Sequence, residues 1–344
     1  MNIPNHDLQS GTVTNCQVCG SPNLELVIDL GHQALSDSLL SAEQLSDPEV
    51  TYPSRFLRCC ECSLGQIDYA VEPKTVFHAE YPYRTGITRE LTTHQKGVAT
   101  DIVSQYGLGS NSLVIDIGSN DGTLLAAFKE QNVRVLGVEP TNISKIANES
   151  GIETIQNFFS EELADQILGS HGHASAITAT NVFAHIASLG SVLRGIENLL
   201  EPNGVFISEN HYLLDIIKGV QFDTMYHEHL RSYSLKSLIK LFSYYNFTLI
   251  DAERVDRYGG SIRVVVAKGK GRTPTKNVAR LLAEESSFGL YEPEVYKNFA
   301  QKTQKSKTDL MNLAYDAKKK GASFVGNSCP ARASTLLNYF RMDT

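Results

Sequence analysis

No apolar run in this chain approaches the ~20 residues that a helix needs to cross a bilayer, so a membrane-spanning helix is not expected. The opening MNIPNHDLQSGTVTN has neither the basic start nor the apolar core of a secretion signal. A basic excess is missing too. Lys and Arg number 31 against 38 Asp and Glu, for a formal net charge of −7. That balance excludes the electrostatic footprint of a general nucleic-acid binder. Cysteine is nearly absent beyond residue 62, where Cys329 stands alone. What remains is 344 residues, 42% hydrophobic and 20% charged, long enough for two domains and a small extra module. The expectation is a cytoplasmic, multi-domain protein.

The other five cysteines crowd into the first 62 residues, and without a secretion signal such clustering favours metal over disulfides. "CQVCG" and "RCCEC" supply two Cys-x-x-Cys knuckles, Cys16/Cys19 and Cys59/Cys62. Four thiolates from two knuckles match tetrahedral zinc with a closed coordination shell. Gly20 suits a tight turn that brings backbone amides toward sulfur. Residues 20–58 separate the knuckles, 39 in all, against ~15–20 in an ordinary ribbon. A sizeable excursion must therefore be inserted. Cys60 competes with Cys59, but pairing it with Cys62 would leave one intervening residue. Reduced buried thiols are the bland alternative, and a redox pair lacks a surrounding thioredoxin-like βαβ pattern. With four protein ligands the zinc is expected to hold the fold and to do no chemistry.

The segment "NSLVIDIGSNDGTLLAAFKEQNVRVLGVEP" (111–140) reads as strand, glycine-bearing loop, helix, strand. That is the first half of a doubly wound sheet, whose ligand site lies at the strand C-termini. A dinucleotide fingerprint would read G-x-G-x-x-G so that backbone could close on a pyrophosphate. Here Gly118 and Gly122 are present, with Ser119 between, but Asn120 stands where the middle glycine belongs. Asp116 would also repel a pyrophosphate. Such a loop suits a ligand with a cationic amino-acid end, and Glu139 is placed to accept from ribose hydroxyls. The pattern resembles motif I of S-adenosylmethionine-dependent methyltransferases. A nucleotide-binding or merely structural turn is the alternative.

The rest of the sheet follows in order. "GIETIQNFFS" supplies a third strand and turn, and "ASAITATNVFAHI" a fourth, with Asn181 and His185 just past its end. "SLGSVLRGIENLLEPNGVFISEN" is helix, Pro-Asn-Gly turn and strand, with Glu209 and Asn210 closing it on the ligand side. In many such methyltransferases an acid after the third strand holds the adenine amino group; the matching position here is Asn157.

"DTMYHEHLRSY" (223–233) packs two histidines, a glutamate and two tyrosines together. Its histidines are two apart, so the His-Glu-x-x-His zinc protease motif is excluded. If the stretch is helical, Tyr226 and His229 share a face; if extended, His227 and His229 do.

The knuckles, "EYPYRTG", "DIGSNDG", "YHEHL", "GGSIR" and "ARASTLLNYF" occur in the same order as in the sugar C-methyltransferases, which the chain resembles from about residue 16 to its end. The resemblance implies an α/β fold with a central Rossmann-like class I methyltransferase sheet. It implies a zinc-binding module at 1–75, a methyltransferase domain at 76–250 and a partial Rossmann-like substrate-binding domain at 251–344. Residues 275–320 read as helices, and "ASFVGNSCPARASTLLNYF" as strand, turn and helix start. A full domain of this kind needs several more βα units, so truncation is expected, with consequences for substrate affinity and stability.

The implied activity is S-adenosylmethionine-dependent methylation of a carbon in a nucleotide-linked 4-keto-deoxysugar. That carbon must first lose a proton, which the neighbouring ketone acidifies. The site needs a base, a donor to the developing oxyanion, and tight positioning. His229 fits the base and Tyr226 the donor, one helical turn apart. The resemblance adds Glu228 and His185 to the site and lines the sugar pocket with Tyr81 or Tyr83. Arg263 in "GGSIR" fits a substrate phosphate or, equally, a surface salt bridge. Two rivals stay open: an O- or N-methyltransferase of a small molecule, and a non-catalytic zinc-ribbon interaction protein.

Overall fold

The computed structural model describes residues 3–78, 81–327 and 330–342; Cys329 lies outside them. Its centre is a seven-stranded sheet in the order Phe247–Val255, Ser261–Lys268, Leu200–His211, Ala174–Thr180, Leu113–Ile117, Arg134–Val138, Thr154–Ile155. Leu113–Ile117 runs parallel to both neighbours, while the last two strands in sequence enter as an antiparallel hairpin. All five residues of "LVIDI" are buried, which is why the run is apolar on both faces except at Asp116. Strand order reverses beside Leu113–Ile117, so crossover helices diverge there and leave a crevice at the strand C-termini. Among the described residues no helix is long and apolar enough to cross a membrane.

A second, four-stranded antiparallel sheet holds the N-terminal module: Leu24–Gln33, Tyr52–Cys59, Gly65–Ile67 and, from far along the chain, Arg231–Ser232. The inserted excursion between the knuckles is the hairpin of its first two strands. At the sheet's end Cys16, Cys19, Cys59 and Cys62 bring their sulfurs within 4.8 Å of one another. Amides of Val18 and Cys19 both donate to the Cys16 sulfur at 3.4 Å. Cys60 is not part of the cluster. Four sulfurs this close, steadied by amide dipoles, have the donor set and spacing of a tetrahedral zinc site.

Two expectations fail here. Residues 222–233 are not a helix. A single 3-10 turn at Phe222–Thr224 gives way to a reverse turn, closed by the His229 amide on the Tyr226 carbonyl at 2.8 Å, and then to the strand Arg231–Ser232. The module's sheet claims this backbone: the Leu230 carbonyl accepts from the Ile67 amide, and the Met225 carbonyl from Ser54. Tertiary pairing outweighs local propensity. The strand expected within 322–327 does not form either, and Phe324 and Val325 are exposed. No sheet edge is paired with it, and a strand without partners leaves its backbone groups unsatisfied. The described C-terminal residues beyond the hairpin are instead helices Lys276–Phe288, Pro293–Lys319 and Ala331–Phe340.

Glu285 ties those helices to the sheet. Fully buried, it accepts from the amides of Leu235 and Lys236 at 2.5 and 3.3 Å, capping helix Leu235–Ser243, and from the hydroxyls of Tyr212 and Tyr291 at 2.9 and 2.7 Å. Replacing it leaves four buried donors without an acceptor. Glu285→Ala is therefore expected to cost about 3–5 kcal/mol in urea unfolding, with Glu285→Gln costing clearly less. Equal stability of the alanine variant would refute this account. Removal of metal by a chelator is expected to lower the melting temperature by at least about 10 °C, since binding energy at such a site is folding energy. Elemental analysis should find close to one zinc per chain.

Candidate active site

A cavity of roughly 580 Å³ opens at the C-terminal ends of the central strands. Of the residues singled out in the sequence, Asp116, Gly118, Ser119, Asn120, Glu139, Asn181, His185, Tyr81 and Tyr83 line it. Gly118 has φ +69°, and a Cβ there would stand 2.5 Å from the Val182 methyl, so only glycine lets the loop turn under that side chain. Asn120, also left-handed at φ 51°, explains the missing middle glycine. Its amide holds the segment 83–86 down over the loop, donating to the Tyr83 carbonyl at 3.1 Å and accepting from the Thr85 amide at 2.8 Å. Asp121 adds an acceptor for the Gly86 amide at 2.8 Å. Gly122 is left-handed as well, caps helix Thr123–Lys129, and is set back from the cavity.

The electrostatics select a cationic ligand. Burial pushes the Asp116 carboxyl up to about 7, against a Thr178 hydroxyl bonded to it at 2.6 Å. Among the described residues no cationic side chain pairs with it. A positively charged ligand end beside Asp116 would restore its charge. Glu139 accepts from the Asn120 amide at 3.0 Å and from the Thr141 amide and hydroxyl at 2.9 and 2.7 Å. A carboxylate has about four lone-pair sites, so capacity for a ligand hydroxyl is left. Asn181 presents a buried Oδ1 with no protein partner.

Of the residues picked from sequence for this site, Gly122, Asn157, Glu209, Asn210, Tyr226, Glu228, His229 and Arg263 lie outside the lining. Asn157 is exposed at a bend and its Oδ1 accepts from the next amide, while Phe158 and Phe159 line the cavity in its place. Glu209, Asn210 and Arg263 are also outside the lining. Arg263 is clamped by Glu209 at 2.9 Å and Glu253 at 2.7 Å, so its charge is matched inside the sheet and not held out for a phosphate. Burial pushes the Glu209 carboxyl up, but His94 and Arg263 outweigh it and hold it below the usual range. Asn210 donates to the Ser208 hydroxyl at 2.7 Å.

Behind the cavity wall stands a cluster of rings. His185 faces the cavity, and His229 lies next to it, ring centroids 4.8 Å apart and nearly perpendicular. Tyr226 packs on His229 at 4.2 Å despite the lack of a helix, because the reverse turn closes the same three-residue spacing. His229 Nδ1 donates to the Thr224 carbonyl at 2.6 Å. That bond fixes the neutral tautomer with the Nε2 lone pair free. Burial pushes the His229 imidazole down to about 4. Tyr81 donates to Glu228 at 2.8 Å. Burial, then the nearby Asp37 carboxylate, holds Glu228 well above the usual carboxylate range. His227 points the other way, to the Pro53 carbonyl at 3.0 Å.

Sequence reading passed over His211, Asp37, Phe158 and Tyr258. His211 carried a signal, since it follows Asn210 at a strand end on the ligand side; the others are brought in by tertiary pairing alone.

Asn120→Ala should free the 83–86 segment and weaken S-adenosylmethionine binding about tenfold or more, equivalent to ~1.4 kcal/mol. Calorimetric titration reads this directly, and unchanged affinity would show that the tie does not matter.

Three family models match: "Putative zinc binding domain" at residues 16–77, "Methyltransferase domain" at 91–252 and "C-methyltransferase C-terminal domain" at 256–344. The C-methyltransferase NovU of Streptomyces niveus is 33% identical over 327 residues, covering 94% of this chain and 78% of that protein. The ubiquinone biosynthesis O-methyltransferase of Azorhizobium caulinodans is 27% identical over 143 residues, 38% of this chain and 51% of its own. Among solved structures, the 1,6-didemethyltoxoflavin-N1-methyltransferase of Burkholderia thailandensis, with bound S-adenosylhomocysteine, is 18% identical with a TM-score of 0.40, covering 51% of this chain and 78% of that one. With zinc-binding, methyltransferase and C-methyltransferase regions in sequence and a C-methyltransferase relative along nearly its whole length, the chain belongs to the S-adenosylmethionine-dependent C-methyltransferase family.

Proposed function

We propose that this C-methyltransferase acts on a nucleotide-linked 4-keto-deoxysugar and that His229 removes the proton from the carbon beside the ketone. The observation that carries the reading is the bond from His229 Nδ1 to the Thr224 carbonyl at 2.6 Å. It commits one ring nitrogen to a backbone acceptor and leaves Nε2 as a lone pair, which is what a general base requires. Desolvation keeps the ring neutral at physiological pH. Its basicity rises when the negatively charged enolate forms beside it, because an opposite charge favours imidazolium. The Tyr226 phenol, packed on the same ring, is positioned to donate to the developing oxyanion. Tyr81, held by Glu228, orients at the cavity wall. Asp116, Glu139 and Asn181 hold the cofactor, which when bound supplies the electrophilic methyl. The reduced thiols of the metal cluster suit a cytoplasmic setting.

A second reading has its own observation: His185, and not His229, is the imidazole that lines the cavity. His185→Asn and His229→Asn separate the two. Under the first reading His229→Asn lowers kcat about 10²–10⁴-fold and abolishes loss of deuterium from the carbon beside the ketone, while S-adenosylmethionine binding stays within about twofold. If His185→Asn alone does so, the base is His185. The substrate class is tested by screening 4-keto nucleotide sugars with labelled cofactor; incorporation into none of them would sink it.

The pH profile has a defined sign. A base with a lowered pKa stays active until pH falls through that value. The rate at about pH 5.5 should therefore stay within about twofold of that at about pH 7.5, whereas an ordinary imidazole near 6.5 would lose about tenfold.

A further inference from the structure

Methylating a carbon in place of its hydrogen releases one proton per turnover. On the reading of His229 as base it starts on His229, a ring buried behind the cavity wall. A third histidine lies on its other side. His211, at the end of strand Leu200–His211, has its ring centroid 4.8 Å from that of His229 at an interplanar angle of 82°. His211 also packs edge-on against Tyr258 at 5.7 Å, and the Tyr258 hydroxyl is 3.1 Å from that of Tyr83. Both tyrosines stand at the cavity rim, 37% and 44% exposed. The series runs from the buried base to the exposed rim of the cavity.

We propose that His211 is the proton relay of this site, taking the proton from His229 Nε2 and delivering it to solvent by way of the Tyr258–Tyr83 hydroxyl pair. This rests on the reading of His229 as base. The transfer balances: the substrate C–H electron pair stays on carbon, His229 gains a proton, and His211 accepts that proton as His229 returns to its neutral tautomer. The proton then enters bulk water. The two rings are in direct edge-to-face contact, centroids 4.8 Å apart, so no other side chain stands between them. Neutral His211 is the form that can accept, and burial, then the charge of His229, pushes it down to about 3. Each ring disfavours a second charge beside it, so only one of the two carries the proton at a time.

His211→Asn and Tyr258→Phe test this in the full chain, using a 4-keto sugar nucleotide that the wild-type protein methylates, deuterated beside the ketone. Methyl transfer in the first turnover, measured by rapid quench with enzyme in excess, should stay within about twofold of wild type. Exchange of the deuterium with solvent, measured with S-adenosylhomocysteine in place of the methyl donor, should fall at least about tenfold in His211→Asn, because the trapped deuteron returns to carbon. Steady-state turnover should fall with it, and added imidazole should restore both. Tyr258→Phe, which leaves the histidines in place, should slow exchange in the same direction. If first-turnover transfer drops in step with exchange, His211 only positions His229 and the relay is wrong. Unchanged exchange in both variants also overturns it. Failure of the base assignment has a different signature, since His229→Asn would then retain first-turnover transfer.

Discussion

Everything in the site depends on four sulfurs meeting at one point. The knuckle at Cys59–Cys62 turns the chain directly into the strand Gly65–Ile67, and that strand pairs with Arg231–Ser232, two residues past His229. The metal cluster therefore sets the register of a strand that carries the turn of the proposed base on its flank. Arg231 shows how closely the two are joined. It is fully buried, donates to the Ile186 carbonyl at 2.6 Å, and lies near Cys16, whose charge favours the guanidinium. Four thiolates around one divalent cation carry a net double negative charge. A guanidinium beside them offsets part of it in a place where water cannot. The module thus acts on chemistry without holding any, by fixing the backbone from which Tyr226, Glu228 and His229 project.

The same logic explains why the proposed base is built on a turn. A helix would present Tyr226 and His229 on one face, but it would consume the Thr224 carbonyl in its own ladder. In the turn that carbonyl is free to accept from His229 Nδ1. Tautomer control and ring stacking come together only because the backbone is irregular, and the irregularity holds because the neighbouring sheet takes up the freed groups of Met225 and Leu230.

Much of this was legible in the residues and some was not, for identifiable reasons. The cofactor loop was readable because its requirements are local: a strand, a left-handed glycine, an acid at the end of the next strand. The cysteine cluster was readable because thiolate spacing is itself the signal. Arg263 misled because its partners are set by register. It sits directly opposite Glu209 in one antiparallel pair and Glu253 in the other. Glu253 faces it across a short turn, but Glu209 lies two α-helices and two strands earlier in the chain, and nothing in "GGSIR" announces that pairing. Asn157 misled because it sits at a bend past the strand end and turns to solvent, while Phe158 and Phe159 beside it reach the cavity. Asp37 comes from a loop of the N-terminal module to within electrostatic range of Glu228, a meeting that only the folded chain creates.

The two halves of the site are charged in opposite senses, and that division has a chemical consequence. On the cofactor side, Asp116 and Glu139 make a buried acidic floor that favours a cation. On the other, His185, His211 and His229 stay neutral, each held down first by burial and, for His185 and His211, next by the charge of His229. A sulfonium is drawn to the first side and repelled by no ring on the second. With His229 as the proposed base, the new positive charge and the enolate would form as a pair in a place with little water to screen them. Their attraction would be strongest while both exist, and the protein would then stabilise the state in which carbon is nucleophilic more than the ketone that precedes it. Neutral imidazoles in a dry cluster are therefore better suited to this step than charged ones, because the charge appears only when the reaction needs it.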